Sequence, residues 1–378
     1  MTPEVPSLLA DPPETNPLFG DRRLKMGTFC SNLKQGCAIS SIEGTLEATW
    51  PATVALAELA DAMEYEALVP VGRWRGFGGT TDFNGAGFEC YSWAAGIAGV
   101  NDSSAIFATS HVPTVHPVMA AKQATTIDHI SGGRFVLNVV TGWNESEFRL
   151  FGIDVPDHDR RYDMAVEWVE IIRRLWTEHE LFDYEGEFYR IGGGQLLPKP
   201  IQSPRPPFMN AGGSERGRHF AAKYCDVAFI VVSNHDMDDL KAQIATYKDL
   251  ARREYGREVA VWTHTYIVQG DTEKDARDFY DYYVHRHGDW EAATNLTAGL
   301  GINAQTVPPE ALDFLREHFI AGWAGWPVIG TREQIVDTYL KLADTGIDGV
   351  LTSWARYEEG MKEFAVDTYP LMVEAGLR

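Results

Sequence analysis

The feature that most constrains this chain is an alternation of short apolar segments with longer helical patterns, repeated eight times. The run FVLNVVTG at 135–142 is nearly continuous and rich in β-branched residues, which is typical of a strand buried on both faces. The pattern at 160–176 is a strongly amphipathic helix. Strands that alternate with helices favour a parallel sheet with right-handed crossovers. The predicted strands lie at 24–30, 67–71, 104–110, 135–142, 207–213, 227–232, 259–268 and 348–353.

Eight such units predict an α/β fold, the closed (β/α)8 or TIM barrel, which typically needs ~250 residues. The chain has 378 residues, so we expect long insertions at the C-terminal face of the strands. We expect an N-terminal arm at 1–20, one barrel domain at 21–378, and within it a lid insertion at 289–329. The rival fold is an open doubly wound sheet, which is disfavoured because no G-x-G-x-x-G follows the first strand.

Charge and cysteine content limit the partners of the chain. Lys plus Arg is 33 and Asp plus Glu is 54, so the net charge is −21, which disfavours nucleic acids and anionic membranes. No apolar run approaches the ~20 residues of a membrane helix. The first twenty residues lack the basic start of a secretory signal. The four cysteines form no CxxC pair, so we expect a reducing cytoplasm.

The ends of the predicted strands carry the candidate site, because the active site of such a barrel lies at its C-terminal face. These ends supply hydroxyls, amides and aromatic rings, among them Thr109, Asn138 and Trp143, but few acids or bases. Such a set suits a planar cofactor that performs its own chemistry. The histidines lack the spacing of a metal site, so we expect no metal, and no G-x-S-x-G motif is present.

A phosphate site is predicted where GGS at 212–214 ends a strand and opens a helix. The backbone N–H groups and the Ser214 hydroxyl would point at one spot. Arg161 and Tyr162 open another helix after the fourth strand and could add a cation and a phenol. The alternative is that Ser214 only caps its helix and Arg161 forms a surface ion pair.

Four segments resemble one family in sequence: RGFGG at 75–79, FATS at 107–110, TIDHISGGRFVLNVVTGW at 126–143 and RRYD at 160–163. They resemble the bacterial luciferase-like superfamily of flavin monooxygenases, and most closely its pyrimidine monooxygenase subgroup, which is related to the dimethylsulfone and alkanesulfonate monooxygenases. The resemblance implies a TIM barrel, reduced FMN as co-substrate and O2 as oxidant. It also implies a separate NAD(P)H:flavin reductase as partner and association into a homo-oligomer.

The resemblance also implies roles for individual residues. Thr109 and Asn138 would place O2 beside the flavin as the catalytic pair. The cofactor would be bound by Arg73, Asn138, Glu147, Arg161, Tyr162 and Ser214. The substrate pocket would be lined by Trp74, Trp143, His264, Trp323 and Trp326.

Three departures from the alkanesulfonate enzymes bear on the substrate. Those enzymes carry a cysteine where Arg75 stands, an arginine where His264 stands, and an arginine in their mobile loop, where this chain has AGWAGWPVIG at 321–330. Arginine is thus lost at two positions. Because arginine is the natural bidentate partner of a sulfonate, we expect a small neutral substrate instead, such as a nitrogen heterocycle whose C–N bond is opened. Three alternatives are a deazaflavin-dependent dehydrogenase, a monooxygenase of neutral organosulfur compounds such as sulfones, and a flavin-binding protein without enzymatic activity.

Overall fold

A computed structural model describes residues 15–154, 156–232, 234–302 and 308–378. Its strands form a closed barrel of eight parallel strands with helices packed around the outside, which confirms the predicted fold. All eight barrel strands lie within or beside the eight predicted segments. The strands in chain order are β1 Lys25–Phe29, β2 Ala67–Val69, β3 Ala105–His111, β4 Phe135–Val140, β5 Phe182–Glu185, β6 Arg190–Gly194, β7 Phe208–Asn210, β8 Val227–Ile230, β9 Ala260–Gln269, β10 Trp326–Gly330 and β11 Gly349–Ser353.

The barrel closes between its first and last strands. β11 pairs in parallel with β1, with Lys25 opposite Gly349, and it also pairs with β9. β9 is ten residues long and has three partners, because its first half also pairs with β8 and its second half with β10. β10 is therefore a ninth strand that extends the wall beyond the end of β8. The other added strands, β5 and β6, form a separate antiparallel hairpin.

The helices follow the strands and are begun by local side-chain caps. Thr272 and Thr331 each form a capping box with the residue three positions later, which satisfies free N–H groups of the first turn. The helices are α1 Trp50–Ala62, α2 Cys90–Ala98, α3 Pro117–Ile130, α4 Glu145–Phe148, α5 His158–Thr177, α6 Glu215–Tyr224, α7 Met237–Tyr255, α8 Glu273–Asp281, α9 Trp290–Gly299, α10 Pro309–Gly322, α11 Arg332–Asp344, α12 Tyr357–Glu363 and α13 Tyr369–Glu374. Among the described residues no helix is both long and apolar enough to cross a membrane.

Two layers of apolar side chains hold the barrel together. The inner layer fills the barrel and includes the buried rings of Phe107 and Trp262. The outer layer lies between the strands and the helices and includes the buried Trp93 and Trp168 of α2 and α5. Burying each large apolar side chain contributes on the order of 1.5–3 kcal/mol. The inner layer also forms the floor beneath the open, C-terminal end of the barrel.

The structure describes part of the predicted arm and most of the predicted insertion. Residues 1–14 of the arm at 1–20 lie outside the described residues, and Leu18 that follows them is buried. The insertion at 289–329 contains α9 and α10, but its last residues belong to β10 and thus to the sheet. β10 was not predicted from the sequence because only four residues, one of them a proline, lie between Gly325 and Gly330 and show no strand periodicity.

Candidate active site

A cavity of ≈ 490 Å³ opens at the C-terminal ends of the barrel strands. This volume is in the range of small-molecule and cofactor sites. Strand ends supply one side of its wall, including Thr109, Asn138 and His264. The insertion supplies the opposite side through Phe319, Trp323 and neighbouring residues. The cavity has two chemically different ends, one polar and one aromatic.

The polar end lies where β7 leads into α6. The Ser214 side chain caps α6 by accepting a hydrogen bond from Gly217 N at 3.0 Å. A Cβ at Gly212 would come within 2.7 Å of the Tyr162 hydroxyl, so only glycine allows the phenol this close to the turn. Around Gly213, by contrast, the structure leaves open space. The helix N-terminus therefore faces the cavity unobstructed.

Arg161 and Tyr162, at the start of α5, complete the polar end. Arg161 donates to the carbonyl of Gly142, and its buried Nε has no hydrogen-bond partner among the described residues. Burial raises the pKa of Tyr162, an effect opposed by hydrogen bonds with Thr141 and Ser214, so the phenol is protonated at neutral pH. A helix N-terminus, a cation and a phenol donor together fit a phosphate group.

The aromatic end is built by rings near the ends of β1 and β8 and in the middle of β9. Phe29 lies 5.5 Å from Phe229 and 5.1 Å from the imidazole of His264, measured between ring centroids. His264 Nε2 lies 2.8 Å from Ser353 Oγ, while its buried Nδ1 has no partner among the described residues. Burial lowers the pKa of His264 to about 3 and that of His111 to about 4. Both imidazoles are therefore neutral at pH 7.

Thr109 and Asn138 lie side by side in the wall of the cavity, as register partners of β3 and β4. The Thr109 hydroxyl donates to the carbonyl of Pro70 at 2.6 Å and accepts from Asn138 Nδ2 at 3.0 Å. The buried Asn138 Oδ1 has no partner in the described part of the chain. The Thr109 hydroxyl proton is therefore taken up by the Pro70 carbonyl. The atom of the pair that remains free to bind a ligand is Asn138 Oδ1.

Arg73 is buried against the cavity in a box of aromatic rings. Its guanidinium lies 4.7 Å from the centroid of Phe77, 5.3 Å from that of Trp143 and 5.8 Å from that of Trp323. Its Nη1 forms an ion pair with Glu147 Oε1 at 3.0 Å. Burial lowers the pKa of Arg73, and the charge of Glu147 opposes that shift. Arg73 lines the cavity, whereas Glu147 lies behind it and holds it in place.

Two predicted pocket residues lie elsewhere. Trp74 is 45% exposed, packs edge-on against Phe151 and borders a separate surface groove. Trp326 is buried in the wall of the sheet, with its ring 5.5 Å from His235. Trp326 belongs to a strand, in which side chains alternate between the two faces of the sheet, and its ring does not border the cavity. Trp143, Trp323 and His264 do line the cavity.

Several cavity residues were not predicted from the sequence, among them Phe29, Phe229 and Phe319. His111, which was read together with Thr109 as the end of the third strand, stands two residues after Thr109 and therefore shares its face. The position of Phe319 could not be predicted, because Phe319 belongs to an insertion without strand periodicity. Within the described ranges no three His, Cys, Asp or Glu side chains are grouped so as to hold a metal ion.

The chain resembles known proteins in sequence and in fold. The model of the luciferase-like monooxygenase family matches residues 25–349. The chain belongs to this family and is a flavin-dependent monooxygenase.

Among characterised relatives, the chain is similar to the pyrimidine monooxygenase RutA of Serratia proteamaculans, with 28% identity over 92% of this chain and 95% of that protein. It is also 28% identical to the pyrimidine monooxygenase RutA of Escherichia coli O6:H1, over 93% of this chain and 89% of that protein. Among solved structures, the riboflavin lyase RcaE with modified FMN and riboflavin has a TM-score of 0.83 at 19% identity, covering 94% of this chain and 92% of that one. DmoA from Hyphomicrobium sulfonivorans has a TM-score of 0.81 at 17% identity, over 94% and 89% of the two chains. These structures share the fold.

Proposed function

We propose that this chain uses reduced FMN, delivered by a separate NAD(P)H:flavin reductase, and O2 to oxygenate a small neutral nitrogen heterocycle of the pyrimidine class, with opening of a C–N ring bond. The observation that carries the proposal is a single cavity with a phosphate-type site at one end and a neutral aromatic wall at the other. The similarity to pyrimidine monooxygenases over nearly the whole chain supports the choice of substrate.

The residues at the polar end fit the phosphate of FMN. Arg161, Tyr162 and Ser214 would hold it at the N-terminus of α6. Asn138 and Arg73 would face the flavin ring from the middle of the cavity, Arg73 being held there by Glu147. When bound, reduced FMN supplies the two electrons with which O2 is activated.

The charge of the aromatic end favours a neutral substrate. His264 and His111 are uncharged at pH 7 because burial lowers the pKa of both. Arg73 is neutralised by its ion pair with Glu147. The rings of Phe29 and Phe229 offer flat apolar contact. An anionic substrate would lose its hydration here without gaining an opposite charge.

The insertion would exclude water during the reaction. The turn after α10 has left-handed backbone at Trp323 (φ 51°) and Ala324 (φ 53°), and it carries the Trp323 ring to the cavity. Gly325 follows so closely over the site that a Cβ there would lie 2.5 Å from His264 Nδ1. Exclusion of water protects a reactive oxygen adduct from release as H2O2.

Oxygen consumption with labelled O2 tests the proposal directly. The purified chain is mixed with chemically reduced FMN, 18O2 and a panel of uracil, thymine, neutral sulfones and alkanesulfonates. We expect substrate-dependent products that carry one 18O atom with the pyrimidines and none with the sulfonates. If all panel members merely return the consumed O2 as H2O2, the proposed substrate class is wrong. If a sulfone alone is labelled, the organosulfur alternative replaces it.

A further inference from the structure

The orientation of the Asn138 amide is dictated by its neighbours. The carbonyl of Pro70 can only accept a hydrogen bond, so the single proton of the Thr109 hydroxyl points at it over 2.6 Å. The lone pairs of Thr109 Oγ1 then remain for Asn138, which must present its Nδ2 to them, at 3.0 Å. The reverse orientation would bring two acceptors together with no proton between them.

These two hydrogen bonds leave one acceptor, Asn138 Oδ1, without a donor. Asn138 Oδ1 is buried and has no partner in the described part of the chain, although Asn138 itself lines the cavity. Buried polar atoms in native proteins are almost always paired. A free acceptor in a ligand cavity therefore indicates that the ligand supplies the donor.

We infer that Asn138 Oδ1 is a fixed acceptor for a ring N–H of the bound ligand, and that Thr109 and Pro70 are positioning residues that fix it. The inference rests on the proposed function, because two ligands of that reaction carry such a group. A reduced flavin bears an N–H at N5 where the oxidised flavin has a lone pair. A pyrimidine substrate bears lactam N–H groups.

If the N–H comes from the flavin, the site prefers the reduced flavin over the oxidised flavin. An enzyme that receives reduced flavin from a partner and returns the oxidised form benefits from binding the first more tightly. The fixed acceptor repels the lone pair on N5 of the oxidised flavin. It accepts a hydrogen bond from the N5–H group of the reduced flavin. If the donor belongs to the substrate instead, the same acceptor discriminates lactams from their N-methylated forms.

The first arm of the test measures flavin binding without turnover. Dissociation constants for oxidised and, under anaerobic conditions, reduced FMN are measured with the wild type, Thr109→Val and Thr109→Ser. Valine keeps the shape of the side chain but frees the amide to rotate, whereas serine keeps the hydroxyl. We expect the preference for reduced FMN to fall about tenfold in Thr109→Val, a change of ~1.4 kcal/mol, and to persist in Thr109→Ser.

The second arm uses oxidised FMN and compares the binding of uracil with that of its N-methylated derivatives. If the donor comes from the substrate, Thr109→Val lowers this discrimination about tenfold, Thr109→Ser keeps it, and neither variant changes the flavin ratio. Asn138→Leu, which removes the acceptor, is a second variant in case the valine variant is unstable, and it is expected to give the same loss. Thermal unfolding checks that each variant is folded.

The outcomes distinguish failure of the fixed acceptor from failure of the proposed function. A loss in either arm, rescued by serine, supports the fixed acceptor and identifies its donor. If the wild type binds FMN but neither ratio changes in Thr109→Val or Asn138→Leu, the inference is overturned while the proposed function stands. If the wild type binds FMN in neither redox state, both fail together.

Discussion

At the scale of single residues, the most consequential property of the site is the neutrality of His264. It lies in the cavity wall with Ser353 as its hydrogen-bond partner, and burial lowers the pKa of the imidazole to about 3. In the unfolded chain a histidine has a pKa of about 6.5. Between these two values the unfolded state binds a proton that the folded state does not.

This difference predicts a pH dependence of stability. As the pH falls below about 6.5, proton binding favours the unfolded state, so the free energy of unfolding decreases by about 1.4 kcal/mol per pH unit on account of His264. Glutamine at this position keeps a hydrogen-bonding amide but does not titrate. We expect His264→Gln to lose about 2 kcal/mol less than the wild type between pH 6.5 and pH 5, measured by urea denaturation. Equal losses in both proteins would contradict the assignment.

Individual side chains were predicted from the sequence where strand position determines their direction. Thr109 and Asn138 stand near the C-terminal ends of their strands and His264 in the middle of β9, and all three line the cavity together with Trp143 and Trp323. Trp74 and Trp326 lie in an irregular loop and an unrecognised strand, where the sequence does not tell which way a side chain points. The aromatic box around Arg73 depends on Phe77 of the same loop, and it required the structure for the same reason.

At the scale of secondary-structure elements, the polar end of the cavity depends on the meeting of α5 and α6. Two neighbouring arginines at the start of α5 have different surroundings, although they are adjacent in sequence. Arg161 lines the cavity and contacts the carbonyl of Gly142. Arg160 forms an ion pair with the exposed Glu187. The pair provides a matched test of the phosphate site.

If Arg161 holds the phosphate, its loss weakens the binding of FMN but not that of riboflavin, which lacks the phosphate. We expect Arg161→Met to lower the ratio of FMN to riboflavin affinity about tenfold or more, since hydrogen bonds to charged groups contribute ~1.5–3 kcal/mol. Arg160→Met is the control and is expected to keep the wild-type ratio. Fluorescence titration with both flavins gives the measurement. An unchanged ratio in Arg161→Met would remove Arg161 from the phosphate site.

The elements themselves were largely accessible from the sequence. The eight barrel strands are short apolar runs between amphipathic helices, and buried parallel strands give this signal more clearly than any other element. The β5–β6 hairpin escaped prediction because its residues are half exposed and rich in glycine. β10 escaped because its pairing with the second half of β9 is a tertiary contact that no local pattern encodes.

At the scale of the whole molecule, the net charge of −21 opposes the approach of an anionic cofactor. The Debye length falls from 30 Å at 0.01 M salt to about 8 Å at 0.15 M. We therefore expect the association rate of FMN to rise several-fold over this range, while that of uncharged riboflavin stays constant, as measured by stopped-flow fluorescence. If the association rate of FMN instead falls as salt is added, the arginines near the mouth of the cavity dominate the electrostatic potential that FMN meets.

The closure of the barrel has a consequence for biosynthesis. β11 is the strand that joins β1 to β9, so β1, the first barrel strand in chain order, has one unpaired edge until the eighth barrel strand has been made. Until then a growing chain exposes open edges that invite pairing with other chains. Nascent chains stalled ahead of residue 349 should consequently depend on chaperones, whereas those released after residue 353 has emerged can seal the ring by themselves.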